Sequence, residues 1–271
     1  MEKLSRTLPN WSSLRRLGQS RVVALTALVP FIGTLILFNQ HFVDLLVLSP
    51  DVVASWLGKP AEAATEASRS LTINRLVVTY FGLVFLGAAS FLFALLCPAE
   101  IKRHEGALAL IEAERPLITP ARTALMVTQV TDDYLSNHGD GYEARGNEAL
   151  RTLAYPVDLQ LFFQEVVRQI SQGSIEGEDA DIYSVNGNIQ IDNVARIVRA
   201  QRRMERGLWM SFHTEAQKYN TDLLALIYEA KDHSRPVMRA IISTLYAAGF
   251  LVLLYPTAVT LFQIIRRAML G

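Results

Sequence analysis

Three stretches of this sequence, residues 22–43, 76–99 and 240–265, contain no Asp, Glu, Lys or Arg. No other feature constrains the fold as strongly. A hydrocarbon core of about 30 Å is crossed by about 20 apolar residues in a helix, and each run is long enough. In lipid the backbone of a single segment satisfies its own hydrogen bonds only as a helix. The runs hold 72 of the 271 residues, so all 52 charges fall in the other 199. That remainder has the charge density of ordinary soluble protein. The expected fold is therefore an all-α membrane protein with three transmembrane helices and a mainly helical cytoplasmic domain carrying one β-hairpin. In chain order, the expected parts are a basic tail 1–21, a span 22–43, an outer loop 44–75, a span 76–97, the cytoplasmic domain 98–239, a span 240–265 and a tail 266–271. Such a composition excludes a simple soluble globule, a disordered chain and a disulfide scaffold.

The first run has the basic start of a signal peptide, but no small-x-small cleavage site follows it, so it reads as a retained anchor. The third run contains Pro256, which removes one helical hydrogen bond and is expected to kink the span. The single cysteine, Cys97, has no intrachain disulfide partner and reads as a small apolar residue at the membrane boundary.

Orientation follows the distribution of Lys and Arg near span ends. Lys3, Arg6, Arg15, Arg16 and Arg21 precede the first span, and Lys102, Arg103, Arg115, Lys231, Arg235 and Arg239 flank the long middle segment. Lys59, Arg69, Arg75, Arg266 and Arg267 lie on the other faces. Eleven against five puts the N-terminus and residues 98–239 in the cytoplasm and the protein in the cell's inner membrane as a multi-pass chain. Either the Arg266–Arg267 pair snorkels to the outer headgroups, or the third span is shallow and returns to the inner face. In the outer loop, Ser49-Pro50-Asp51 reads as a helix start, and Trp56 as the aromatic anchor of an interfacial helix.

The middle segment is net −5, with 16 basic and 21 acidic residues, which argues against nucleic acid as a partner. Periodicity and breakers predict helices over 100–114, continuing from the second span, then 119–137, 143–154 and 157–172. Asn186-Gly187 between the β-prone arms 182–185 and 188–191 predicts a tight-turn hairpin. From Asp192 or Asn193 to His233 the apolar pattern predicts one long helix, a rod of about 60 Å.

Four groups of residues are candidates for chemistry. Arg196, Arg199, Arg203 and Arg206 are spaced 3, 4 and 3 apart, which places their guanidiniums on one strip of the predicted long helix. Such a row suits an anion or an acidic partner surface, against the plainer reading of a solvated face. Asp132, Asp133, His138 and Asp140 have metal-ligand chemistry but match no zinc or calcium spacing, and a polar helix end explains the same letters. The same holds for the acidic loop Glu176, Glu178, Asp179 and Asp181. Ala240, Thr244 and Ala248, with Gly87, Ser90 and Ala94, offer small faces for close helix packing.

No nucleotide-binding loop, nucleophile elbow or metalloprotease motif occurs, so neither a cofactor, nor a metal, nor a catalytic residue is expected. No Asp, Glu, Lys or Arg lies within these runs, which argues against proton relays and voltage sensors. The expectation is a non-enzymatic oligomer whose cytoplasmic domain senses a signal or protein partner and whose spans alter membrane permeability, as in an effector or antiviral defence protein. A scaffold or accessory subunit of a membrane complex is the alternative. An enzyme acting on lipid at the inner face, through Asp132, Asp133 and His138, comes third. The expected partners are membrane lipid, further copies of the chain and a protein bound through the cytoplasmic domain.

Overall fold

The computed structural model of the chain describes residues 8–20, 61–138, 148–174, 182–183, 188–200 and 206–270. The first predicted span, the interfacial helix of the outer loop, the acidic loop 175–181 and the Asn186-Gly187 turn lie outside these residues. Among the described residues every regular element is helical. The helices are α1 (Trp11–Gly18), α2 (Ala61–Leu96), α3 (Ala99–Arg103), α4 (Ala107–Glu114), α5 (Pro120–His138), α6 (Glu148–Ala154), α7 (Val157–Ser174), α8 (Ile191–Ala200), α9 (Arg206–Ala216), α10 (Asn220–His233) and α11 (Pro236–Leu270). They form two compact units, Met1–Ser13 with Cys97–Arg239, and Leu14–Leu96 with Ala240–Gly271.

In the first unit α10 stands at the centre. Leu223, Leu224, Leu226, Ile227 and Tyr228 are all buried, so its apolar surface faces nearly all round, the pattern of an enclosed helix. It packs against α4, α5 and α7, and α5 in turn packs on α8 and α9. The Tyr134 and Phe163 rings stack with centroids 4.1 Å apart at the α5–α7 contact. Pro120 at the first position of α5 and the Tyr155-Pro156 break before α7 set helix ends where the sequence predicts them.

Two expectations for this unit are corrected. The predicted helix 100–114 does not continue from the preceding span. Pro98 is its first interruption, and His104 and Gly106 are extended, with φ −114° and −171°, so α3 and α4 are separate. The long rod is divided too. A 3₁₀ turn at Gln217–Tyr219 separates α9 from α10, with Tyr219 at φ −104°, ψ 23°. Of the hairpin, the described residues hold one antiparallel bridge, Tyr183 to Ile189, and no strand. The Gln190 N–H also donates to the Ile182 carbonyl at 2.7 Å, and Ile182 and Ile191 are buried against the helices.

The second unit contains two helices long and apolar enough to cross a membrane, Ser70–Leu96 in α2 and Pro236–Arg266 in α11. Only 33% and 22% of their apolar windows are buried within the chain. Phe91, Leu251, Leu254 and Phe262 are exposed, as lipid-facing residues are. The two helices run antiparallel. Arg75 bonds Thr260, Leu253 lies over Gly82, Leu86 lies over Gly249, and Ser90 bonds Tyr246 at 3.2 Å. Each step along α2 is matched by an equal step back along α11. A Cβ built on Gly249 would fall 3.0 Å from the Gly82 carbonyl oxygen, so glycine permits the close approach here. α11 runs unbroken through Pro256.

Candidate functional site

The site is assembled where α10 ends and α11 begins, and its other half comes from residues 9–12. After His233 the chain turns through Ser234 and Arg235 into Pro236. A residue before proline is disfavoured in the α region. Arg235 adopts φ 52°, a left-handed backbone that a residue with a Cβ takes at a cost of about 1 kcal/mol or more. This strained joint leads directly into the second of the two apolar helices.

Five side chains clasp it. Trp11 is fully buried, and its indole Nε1 donates to the Ser234 carbonyl at 2.9 Å. Asp232, only 4% exposed, accepts from the Ser12 backbone N–H at 2.6 Å and from the Ser12 hydroxyl at 2.8 Å. The first N–H groups of a helix have no partner within it, and α1 begins at Trp11, so Asp232 caps α1 from more than 200 residues away. Arg239, in the first turn of α11, is 1% exposed. Its guanidinium donates to Asn10 Oδ1 at 3.1 Å, to the Pro9 carbonyl at 3.4 Å and to the Leu153 carbonyl at 2.8 Å. One arginine thus ties together α11, the end of α6 and the amino-terminal segment.

Glu229, Asp232 and His233 also place possible metal-ligand atoms within 4.8 Å of one another. Both Asp232 oxygens, however, are engaged by Ser12, and His233 Nδ1 lies 2.9 Å from the Glu229 carbonyl, where it donates. These side chains serve the clasp and its neighbour. That neighbour is a cavity of about 670 Å³ with Leu8, Asn10 and Ser13 on one side and Val157, Phe162 and Glu229 among its other walls. Burial pushes the Glu229 carboxyl above the usual range, while His233 beside it acts in the opposite sense.

Comparison with protein-family models, curated proteins and solved structures finds no match. The site's own geometry must therefore carry the functional reading.

The predicted site residues fare unevenly. Arg196 and Arg199 lie on α8, where Arg199 pairs with Asp132 at 3.2 Å and Arg196 donates to Asn193 at 3.1 Å. Arg203 lies outside the described residues, and Arg206 opens a different helix. Asp132 is thus engaged by Arg199, and Asp140 is outside the described residues. His138 is set among rings, with centroids 5.4 Å from Tyr134 and 5.2 Å from Tyr155. Burial lowers its pKa from 6.5 and raises those of Asp133 and Tyr155. Tyr134 is pushed up to about 12 by burial and by its bond to Asp192 at 2.7 Å. These are the marks of a packed aromatic core with polar edges.

On the apolar helices, Gly87 and Ser90 are buried and Ala94 is exposed, while Thr244 is exposed and Ala240 and Ala248 are half-buried. The close contact within the chain runs instead through Gly82 and Gly249. The clasp itself escapes the sequence reading, which treats residues 1–21 as a basic tail and Arg239 as a flanking charge. The signal was Pro9-Asn10-Trp11-Ser12: a capping residue and a large aromatic are out of place in a solvated tail.

Proposed function

We propose that this protein is a non-enzymatic, oligomeric integral membrane protein whose cytoplasmic domain receives a signal or partner and whose spans then alter membrane permeability, as an effector or defence protein does. It spans the inner membrane three times, with the N-terminus and residues 98–239 in the cytoplasm. The eleven-to-five Lys/Arg distribution supports that orientation.

One observation carries the sensing half: the strained Arg235 joint before α11 is held by the Trp11, Asp232 and Arg239 contacts. A backbone kept in a costly conformation by its surroundings relaxes when they let go. Releasing residues 9–12 therefore changes the conformation favoured at the start of the last span. A ligand or partner that binds the clasped and open forms with different affinity shifts their balance.

The test expresses the unaltered chain and Asp232→Asn at graded dose in cells carrying a potential-sensitive dye. Asp232→Asn should depolarise cells at a lower dose than the unaltered chain. Full membrane potential at every dose for both would refute the permeability reading and leave the scaffold reading. Alkaline phosphatase fused after Gly173 should be inactive, and activity there would overturn the topology.

A further inference from the structure

We infer that the cavity beside the clasp binds an amphipathic organic amine, its ammonium group held by the Glu229 and Asp158 carboxylates and its apolar body lying against Phe162, Val157 and Leu159. The inference rests on the clasp being a sensor and names what it senses.

Size, lining and sign each bear on the class of ligand. About 670 Å³ falls inside the range of small-molecule sites, roughly 300–1,000 Å³. Half of the lining residues are apolar, with Leu8, Pro9 and Pro156 completing the surface around Phe162, Val157 and Leu159. A hydrated metal ion gains nothing from such walls, and it would lack Asp232, which is spent on Ser12. The charged groups lining the cavity among the described residues are Asp158 and Glu229, with His233 the one other titratable side chain. No Lys or Arg among the described residues joins them, so among these groups an anion meets repulsion and a cation finds partners. Glu229 and Asp158 both line the cavity, and an ammonium group placed there adds a counter-charge to the one that His233 offers Glu229 at 3.9 Å. The Phe162 ring offers a face on which a cation or an aromatic body can rest.

The cavity also explains how occupancy reaches the clasp. Pro9 and Asn10, whose carbonyl and side-chain oxygens accept from Arg239, are themselves part of the cavity wall. A ligand filling the space bears directly on the segment that holds the joint.

The probe is 2-phenylethylamine, titrated by calorimetry into the full chain in phosphocholine nanodiscs, with blank nanodiscs subtracted for partitioning. Saturable binding with a Kd of about 1 mM or tighter is expected. The neutral isostere 2-phenylethanol and the anion phenylacetate should each bind at least about tenfold more weakly. Glu229→Gln and Phe162→Ala should each lose about tenfold, and so should Asp158→Asn, which changes an exposed position. No saturable heat above the blank overturns the inference, as does equal binding of the alcohol, or unchanged affinity in Asp158→Asn and Glu229→Gln. The depolarisation assay uses no amine, so the two readings fail separately. Depolarisation by Asp232→Asn without amine binding removes only the ligand, whereas amine binding without depolarisation removes only the permeability response.

Discussion

Replacing Trp11 by alanine tests the clasp at its largest contact. The side chain is fully buried and donates one hydrogen bond, to Ser234 at 2.9 Å. Truncating a fully buried Trp or Phe to Ala costs about 3–5 kcal/mol. The lost hydrogen bond lies within that range rather than on top of it, since its net worth is about 1 kcal/mol. Taking about 4 kcal/mol, and about 1.4 kcal/mol per factor of ten, the ratio of docked to undocked segment falls by roughly a thousandfold. Hydrogen exchange reads that ratio directly, because the Ser12 amide is held by Asp232 only while the segment is docked. In the unaltered protein, peptides covering residues 9–18 should exchange slowly. In Trp11→Ala they should exchange about two to four orders of magnitude faster, and peptides from α7 should keep their rates. Unchanged rates at residues 9–18 would show that Trp11 does not hold the segment. Equal acceleration in α7 would show that Trp11 supports the whole unit, and the idea of a separable clasp would fail.

Three further outcomes follow from the packing. Gly249→Leu should drive α2 and α11 apart, because even a Cβ would crowd Leu86 and the Gly82 carbonyl; cysteine pairs placed across the two helices should crosslink more slowly, and unchanged rates would refute the contact. Burial lowers the His138 pKa, so the folded state prefers the neutral ring; stability is present above the unfolded value of 6.5 and is lost as pH falls through the lower folded value. His138→Phe should flatten the decline in melting temperature between about pH 7 and pH 5, and an identical decline would assign it to other groups. Ala248→Leu should weaken self-association measured by light scattering in mild detergent, since Ala248 is half-buried and its neighbour Thr244 is exposed. A monomeric unaltered chain would remove the oligomer from the proposal.

What could be read from the sequence was local. Charge-free runs mark α2 and α11, and Pro120 and Pro156 mark the starts of α5 and α7, because composition and proline act on their own segment. The break at Tyr219 could not be read: the apolar pattern continues from Phe212 through Leu223 and Leu226, and buried residues on both sides keep the same spacing across a 3₁₀ turn. Of the hairpin, the described residues hold only the antiparallel bridge and no strand, since its turn lies outside them, while Ile182 and Ile191 are buried against the helices. The clasp was invisible because Ser12 and Asp232, like Asn10 and Arg239, are more than 200 positions apart. Nothing in either local stretch names its partner.

The matched steps of α2 and α11 have a mechanical consequence. The uncharged part of α11, residues 240–265, is about 39 Å long at 1.5 Å per residue, against a hydrocarbon thickness of about 30 Å. The uncharged part of α2 that lies within the helix, residues 76–96, is about 32 Å long and fits without excess. Because Arg75 is level with Thr260, the surplus is one-sided: Leu261, Phe262, Ile264 and Ile265 extend past the first uncharged turn of α2. In the proposed membrane arrangement, a thicker bilayer would cover those residues and draw the Arg75 level toward oil, while a thinner one would strand them in water or tilt the pair. Acyl-chain length would then act on this helix pair as an uneven load, applied at one end.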